Sequence, residues 1–377
     1  MSKFGDLGGK LYRGEVSYNI VGQRNRWYTV SAILIVLALA GILLRGLNLG
    51  IEFKGGAEFL VPSQSCSIQD VRTAISDTGV EVAAVTEVGG ANIRAQTPAV
   101  SNEQNAGVVQ ALAGACSVDA DQISSRNVGP TWGGEITRQA LIALMVFLAA
   151  VVIFLSIYFQ WQMAVAALVA LAHDILITAG IYALVGFEVT PATVIGLLTI
   201  LGYSLYDTVV VFDKVKENTK GVTGQSRYTY GELANLALNQ TLIRSINTSI
   251  VALLPVGAIL FVGAGLLGAA TLMDLALVLF IGMAVGTYSS VFIATPVLCQ
   301  IKDREPAMKA LSARVAKRRA ARGEQSPDES ATGAQESTVS AASGSLAPAT
   351  DRRHRQGRES SSPRVQPKRT SRSKRRS

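Results

Sequence analysis

The sequence predicts an α-helical polytopic membrane protein with six transmembrane helices and a small extracytoplasmic α+β domain (split βαβ, ferredoxin-like). Hydrophobic residues make up 49% of the 377 residues, whereas charged residues make up only 16%. Lys and Arg are absent between Gln139 and Phe212 and again between Ser245 and Ile301. Long apolar runs without basic residues are typical of membrane spans. One polar segment, residues 45–138, separates the first run from the others.

The first predicted span covers residues 27–44, after a polar N-terminal segment at 1–26. A basic flank before an apolar run also fits a signal peptide. This run, however, begins late, lacks a small-residue cleavage site and is followed by further apolar runs, so we interpret it as a transmembrane helix. The region 139–300 contains the five remaining predicted spans, at about 139–159, 163–186, 191–212, 242–265 and 272–298.

Proline and glycine residues within these spans lead to local predictions. Pro191 suits a first helical turn, and Pro255 is expected to kink the fifth span. Gly282 and Gly286, four residues apart, predict a face on the sixth span that packs closely against another helix. The connections between neighbouring spans are short at three places, so those neighbours are expected to be antiparallel.

The segment 45–138 predicts the element order βαββαβ. Ile51–Val61 alternates like a strand, and Gly55-Gly56 within it suggests a bulge. Ser67-x-x-Asp70 and Ser101-x-x-Gln104 are capping boxes that predict two helices. The remaining strands are expected in a hairpin and at the end of the segment, at Val80–Val88, Asn92–Thr97 and Asp121–Val128.

The distribution of charge predicts the orientation. Segments 1–26, 213–241 and 302–377 carry 5, 4 and 19 Lys or Arg residues. Segment 45–138 has ten acidic and six basic residues, and the loops on its side carry only Glu188. The positive-inside rule therefore places both termini in the cytoplasm. The tail, residues 301–377, is basic and poor in apolar residues, so we expect disorder and attraction to the lipid bilayer, with no specific nucleic-acid function.

Asp207 is the acidic residue that the fourth apolar run contains. A carboxylate in hydrocarbon costs about 2.5–3.5 kcal/mol on insertion scales, and such residues usually face other helices or a water path. One interpretation is purely structural: a neighbouring helix provides a partner for the carboxylate, which then serves only in helix packing. The functional interpretation requires a partner, and Arg244 is the only Lys or Arg within the six apolar runs. We predict that the two side chains pair; the alternative is that Arg244 extends to the lipid headgroups.

Further polar residues in the spans are candidates for a proton relay. His173 and Asp174 lie near the middle of the third span, where a lone histidine more often makes a structural hydrogen bond. Ser204, Thr208 and Thr178 offer hydroxyl groups to the same path. Asn247, Thr248 and Ser249 are equally suited to hydrogen bonds that hold helices together.

Glycine and cysteine residues mark the ends and the interior of the 45–138 segment. Gly55, Gly56, Gly129, Gly133 and Gly134 are candidate hinges, with ordinary turn formation as the alternative. Cys66 precedes the first predicted helix and Cys116 follows the second. Because these helices run roughly antiparallel in a split-βαβ domain, we predict a Cys66–Cys116 disulfide. The sequence predicts no metal cluster, nucleophile triad or nucleotide motif, and Phe-Lys-Gly-Gly at 53–56 lacks the features of a phosphate-binding loop.

Four blocks of the sequence resemble the SecF family of bacterial protein-export proteins. They are GIEFKGGAEF at 50–59, VGPTWGGEI at 128–136, HDILIT at 173–178 and GYSLYDTVVVFDKVKEN at 202–218. Many relatives carry Asn at the position of Tyr206, but the acidic residue after it is retained. The resemblance spans residues 15 to about 300.

The resemblance implies that Asp207 and Arg244 take part in proton-driven work. It also implies a bacterial plasma-membrane location, a SecD partner, association with the SecYEG channel and unfolded preprotein clients. The proton gradient is the expected energy source, with no cofactor and no enzyme activity. The resemblance also implies membership of the resistance-nodulation-division superfamily of proton-coupled transporters. Two rival functions are a proton-coupled exporter of small molecules or lipids from that superfamily and a membrane scaffold without transport activity.

Overall fold

A computed structural model describes residues 9–13, 15–62, 66–88, 92–264 and 270–323. Within these ranges, six helical segments are long and apolar enough to cross a membrane. They are formed by α1 (Arg24–Arg45), α5 (Pro130–Tyr158), α6 (Trp161–Val185), α7 (Pro191–Asn218), α8 (Tyr230–Ala258), and α9 (Ala270–Ser289) with its continuation α10 (Thr295–Lys302). The chain is therefore a multi-pass membrane protein.

An α+β domain lies between α1 and α5. Its strands are β2 (Gly56–Pro62), β3 (Ala84–Val88), β4 (Asn92–Thr97) and β5 (Ser124–Val128), and its helices are α3 (Ile68–Asp77) and α4 (Asn102–Cys116). All neighbouring strands are antiparallel, in the order β3-β4-β2-β5. This is the βαββαβ arrangement that the sequence predicts.

Local sequence explains the helices of this domain. The Ser67 and Ser101 hydroxyls accept hydrogen bonds from the backbone N–H groups of Asp70 and Gln104, and both capping boxes are complete. On β2, Ala57, Phe59 and Val61 are fully buried, whereas the residues between them are partly exposed. This alternation gives the sheet one apolar face, which packs on α3 and α4, and one polar face.

The prediction of a single strand over Ile51–Val61 is wrong in its first half. Ile51–Lys54 forms one helical turn, α2, and the strand begins at Gly56. Gly55 has φ 78° and Gly56 has φ 147°, a region that favours glycine. The two glycines therefore end the turn and redirect the chain into the sheet, so they are not a bulge within a strand.

The Cys66–Cys116 disulfide is present, with its two Cα atoms 4.9 Å apart. It joins the segment before α3 to the last residue of α4, as the antiparallel helices predict. Gly89 and Gly90, the expected hairpin turn, lie outside the described residues.

Helix α5 begins at Pro130, before the predicted start of the second span at residue 139. Gly129 is its N-cap, and Gly133 and Gly134 lie inside the helix. A Cβ atom on Gly133 would lie 2.5 Å from the backbone oxygen of Phe53, so this glycine allows α5 to approach α2. A close backbone contact explains Gly133 without a hinge.

Glycines also determine how α9 packs on α7. A Cβ atom on Gly282 would lie 2.3 Å from Ile200, and one on Gly286 would lie 3.0 Å from Ser204. The predicted close-packing face of the sixth span is confirmed. The same helices come together again at Gly196, whose added Cβ would lie 2.3 Å from Val278.

Two π-helical segments interrupt the last spans, at Ile259–Ala264 and Ser290–Ala294. Pro255 lies inside α8, one turn before the first of them. A proline removes a backbone donor, and the helical geometry changes just beyond it. The second π segment places Ser290 against α7.

The prediction that the whole tail from residue 301 is disordered is wrong for its first part. Pro306–Arg322 forms helix α11, in which Met308, Leu311 and Val315 are buried in the same core as the membrane helices. Arg319 pairs with Glu232 at 2.8 Å. These three apolar residues recur at helical spacing, which the basic composition of the tail obscures. Residues 324–377 lie outside the described residues.

Candidate functional site: buried carboxylates between the membrane helices

Asp207 is 5% exposed and lies on the face of α7 that packs on α8 and α9. Its Oδ1 accepts a hydrogen bond of 2.6 Å from Ser245 Oγ on α8. Its Oδ2 accepts one of 2.5 Å from Ser290 Oγ on the second π segment. The carboxylate therefore holds three separate pieces of the helix bundle together.

The predicted Asp207–Arg244 pair is not formed. In the described parts of the chain, the ion pairs include neither residue, and the Arg244 guanidinium donates a 3.4 Å hydrogen bond to the Tyr206 hydroxyl. Consecutive residues on a helix point about 100° apart. Tyr206 and Arg244 thus meet on the exposed side of the α7–α8 contact, and Asp207 and Ser245 meet on its buried side. The predicted partner of Asp207 is therefore on the correct turn of α8 but on the wrong face of that helix.

A second buried carboxylate, Asp174 on α6, is 1% exposed. Its Oδ2 accepts a 2.5 Å hydrogen bond from Ser204 Oγ on α7, and its Oδ1 lies 3.4 Å from His173 Nδ1. Ser204 precedes Asp207 by three residues, so the two lie on the same face of α7 one turn apart. The two carboxylates are thereby linked through one helix face.

The other predicted relay residues differ in their surroundings. The His173 Nε2 and Thr178 Oγ1 atoms are buried and, in the described parts of the chain, have no hydrogen-bond partner. Thr208 is buried as well. Ser249 connects helices, because its hydroxyl receives hydrogen bonds from Tyr203 and Thr287 at 3.4 and 2.8 Å. Asn247 is exposed, and the Thr248 hydroxyl donates to the Arg244 carbonyl of its own helix.

Hydroxyl groups surround these carboxylates, and no described lysine or arginine is paired with them. A hydroxyl can donate to an ionised carboxylate or accept from a protonated one. Each of these serine hydroxyls can therefore act as a donor or as an acceptor toward its carboxyl group. Across the described residues, no cluster of three or more His, Cys, Asp or Glu side chains has metal-binding geometry.

A second polar cluster, missed by sequence reasoning, lies where the α+β domain meets the membrane helices. It lines a cavity of about 310 Å³ and includes Arg94, Glu188 and Asp274. Asp274 is an acidic residue of the sixth predicted span, and no local sequence pattern marks it as a neighbour of Arg94. Glu188 was noted only as a loop charge, and its partner Arg94 is distant in sequence.

Comparisons with known proteins agree with this architecture. Residues 108–304 match the family described as "Protein export membrane protein SecD/SecF, C-terminal", and residues 40–65 match the "SecD/SecF GG Motif". The GG match contains Gly55, which follows α2, and Gly56, which begins β2.

Sequence relatives cover most of the chain. The protein translocase subunit SecF of Streptomyces coelicolor is 51% identical over 85% of this chain and 86% of its own length. The Mycobacterium tuberculosis protein of the same name is 44% identical over 82% of this chain and 73% of its own length.

The crystal structure of SecDF from Thermus thermophilus, titled a translocon-associated membrane protein, superposes with a TM-score of 0.69 and 31% identity. The match covers 77% of this chain and 39% of that one. Together with its six membrane helices, these similarities show that the chain belongs to the SecF family of Sec-pathway protein translocase subunits.

Proposed function

We propose that this subunit uses the proton-motive force, together with SecD, to assist export of unfolded preproteins through the SecYEG channel. The observation that carries the proposal is the carboxylate of Asp207, buried among membrane helices and bound by serine hydroxyls from α8 and the π segment. A titratable acid at a junction of three helical pieces links proton binding to helix packing.

The coupling follows from the hydrogen bonds. The ionised carboxylate draws Ser245 and Ser290 toward α7, and its desolvation is tolerable only while both donors are present. If α8 or the π segment moves away, the buried charge loses its partners and proton uptake is favoured. Moving one charge through the membrane supplies about 2.3 kcal/mol per 100 mV, which is comparable to the strength of such contacts.

Asp174 and Ser204 extend the proposed proton path by one turn of α7. The Ser204 hydroxyl already contacts Asp174 and lies on the same face of the helix as Asp207. His173, beside Asp174, is the third member of this relay. The proton gradient is the proposed energy source, and no cofactor is required by this mechanism.

Arg244 has a different proposed role from the one the sequence suggests. It is exposed on α8 beside Tyr206, which is 52% exposed. A guanidinium facing lipid is costly, so its side of the bundle suits a second membrane protein that supplies a carboxylate. SecD is the proposed partner. In agreement, the chain spans only 42% of the Thermus thermophilus SecDF relative, whose name joins the two subunits.

The proposed location is the bacterial plasma membrane, with both termini in the cytoplasm. The concentration of Lys and Arg in 1–26, 213–241 and the tail supports this orientation. The α+β domain then lies on the opposite side, where exported chains emerge. A Cys66–Cys116 disulfide is compatible with that oxidising side.

The test is proton-driven preprotein export into membrane vesicles that contain the chain and its partners. Asp207→Asn removes the titratable proton at nearly constant volume, and export driven by the gradient is expected to fall to the level without a gradient. Asp213→Asn is the matched control, because Asp213 is an exposed carboxylate on the same helix. Unchanged export by Asp207→Asn would contradict the proposal and favour a scaffold role.

A further inference from the structure

The sheet of the α+β domain turns a polar face toward the membrane helices. Strand alternation buries Ala57, Phe59 and Val61 against α3 and α4, so that the residues between them project to the other side. The same alternation on β4 buries Ile93, Ala95 and Thr97. The opposite face carries the polar and charged side chains Glu58, Arg94, Gln96, Ser124 and Arg126.

This polar face is bound to the connection between α6 and α7. Glu188, in the two-residue strand β6 (Glu188–Val189), accepts hydrogen bonds from Arg94 Nη1 at 2.9 Å and Gln96 Nε2 at 2.7 Å. The Arg94 side chain is 15% exposed and that of Glu188 is 12% exposed. Little water reaches this pair, so the loss of hydration of the two charges offsets much of their mutual attraction. Strand β6 also pairs with β1 (Asn48–Leu49), which leads into the domain.

Carboxylates outnumber guanidinium groups around this contact. Arg126 on β5 pairs with Glu52 on α2 at 3.1 Å. Arg94 pairs with Glu188 at 2.9 Å and with Glu58 on β2 at 3.5 Å. A third carboxylate, Asp274 on α9, lines the same cavity. These are the charged groups that face Glu188 across the cavity in the described chain.

Burial raises the pKa of the Glu188 carboxyl above its ordinary value, and Glu58 and Asp274 act in the same direction. The hydrogen bond from Gln96 and the charge of Arg94 offset only part of this effect. Contact with the domain contributes to this burial, so the docked state holds a proton on Glu188 more tightly than a separated state would. By linkage, docking is then strongest below the ordinary Glu pKa and weakens as pH rises through the raised value.

We propose that Glu188 positions the α+β domain on the α6–α7 connection, and that a proton taken up from the solution around the domain tightens this contact. The proposal rests on the proposed function only in assigning that solution to the proton-rich side of the membrane. It adds to Asp207 a second, separate place where protons act on the conformation of the subunit.

The experiment measures the distance between the domain and the membrane helices in the full chain, reconstituted in lipid nanodiscs. Spin labels are attached at Asp77→Cys on α3 and Val185→Cys at the end of α6, both exposed, in a Cys299→Ala background. Distances are recorded from about pH 4.5 to about pH 8. One narrow distance is expected at the acidic end, and a second population is expected to grow as pH rises. One titrating proton changes the ratio of the two by at most about tenfold per pH unit.

Three variants test which residues are responsible for the pH dependence of the distance. Glu188→Gln stays neutral and still accepts hydrogen bonds through its amide oxygen, so the narrow distance is expected at every pH. Arg94→Gln removes the shared cation, so separation is expected to increase at neutral pH and to be reversed by acid. Glu103→Gln, at an exposed carboxylate on α4, is the control and should behave as the unaltered chain.

A distance distribution of the unaltered chain that is independent of pH would overturn the proposal. Persistence of the pH response in Glu188→Gln would also overturn it, and loss of that response in a fourth variant, Asp274→Asn, would then assign the switch to Asp274. The measurement uses neither preprotein nor gradient. Its failure is therefore distinguishable from failure of the Asp207 mechanism.

Discussion

The Oγ atom of Ser245 lies 2.6 Å from Oδ1 of Asp207, whereas the adjacent Arg244 is exposed and donates to the Tyr206 hydroxyl. The buried acid of the fourth span is therefore held by neutral hydroxyl groups and not by a cation. In the proposed mechanism, proton exchange at Asp207 would therefore leave no buried arginine unpaired, which would be costly.

Replacement of the two serines should weaken both the bundle and its proton response. Ser245→Ala or Ser290→Ala removes one donor to a buried carboxylate, at a cost of about 1.5–3 kcal/mol. Thermal unfolding of the purified chain and gradient-driven export are expected to decrease together. Ser289→Ala is the control, because Ser289 is equally buried but bonds to the Gly286 carbonyl of its own helix. If it lowers export as much as Ser290→Ala does, the effect is not specific to Asp207.

Replacement of Arg244 should weaken assembly with SecD while leaving the stability of the isolated chain nearly unchanged. Because Arg244 is exposed, Arg244→Ala is expected to change the free energy of unfolding by no more than about 0.5 kcal/mol. Co-purification with SecD and gradient-driven export are both expected to decrease. Arg227→Ala, at an exposed arginine in the 219–229 connection, is the matched control. A marked loss of stability in Arg244→Ala would show that this arginine supports the isolated bundle.

Close packing of α7 on α9 predicts a large effect of a single methyl group. Gly282→Ala places a Cβ atom 2.3 Å from Ile200 and is expected to destabilise the chain by about 1–3 kcal/mol. The added substitution Ile200→Ala should restore part of this loss, since it removes the atoms that clash. Gly202→Ala, on α7 with open space around it, should be neutral or slightly stabilising. Thermal unfolding of the four proteins checks this prediction.

The disulfide of the α+β domain closes a loop with a sequence separation of 50 residues. The chain-entropy estimate for such a loop is about 4 kcal/mol, so Cys66→Ser with Cys116→Ser should strongly destabilise the domain. Resistance of the full chain to proteolysis within residues 45–138 provides the measurement. Alkylation and mass spectrometry before and after reduction should show two additional reactive thiols only after reduction. Two thiols already reactive beforehand would contradict the bond.

Several local features were predictable because they depend on neighbouring residues. The capping boxes at Ser67 and Ser101 and the close-packing glycine Gly282 were predicted from short patterns and are present. The Ile51–Lys54 turn was not, because alternating apolar residues fit both a strand and a short helix. Helix α11 was not predicted, because its three apolar residues lie in a basic segment. They are buried against the core of the membrane helices, which is formed by distant parts of the sequence.

By itself, the sequence determined the membrane architecture, because a helix of about 20 apolar residues is long enough to cross the hydrocarbon core of a bilayer. It also determined that Asp207 is costly in its span and that Cys66 and Cys116 come together. Only the tertiary structure decided which side chains meet Asp207, because residues one position apart on a helix differ by about 100° in direction. It likewise decided that Glu188 and Arg94 share a cavity with Asp274, a contact between elements that no local pattern encodes.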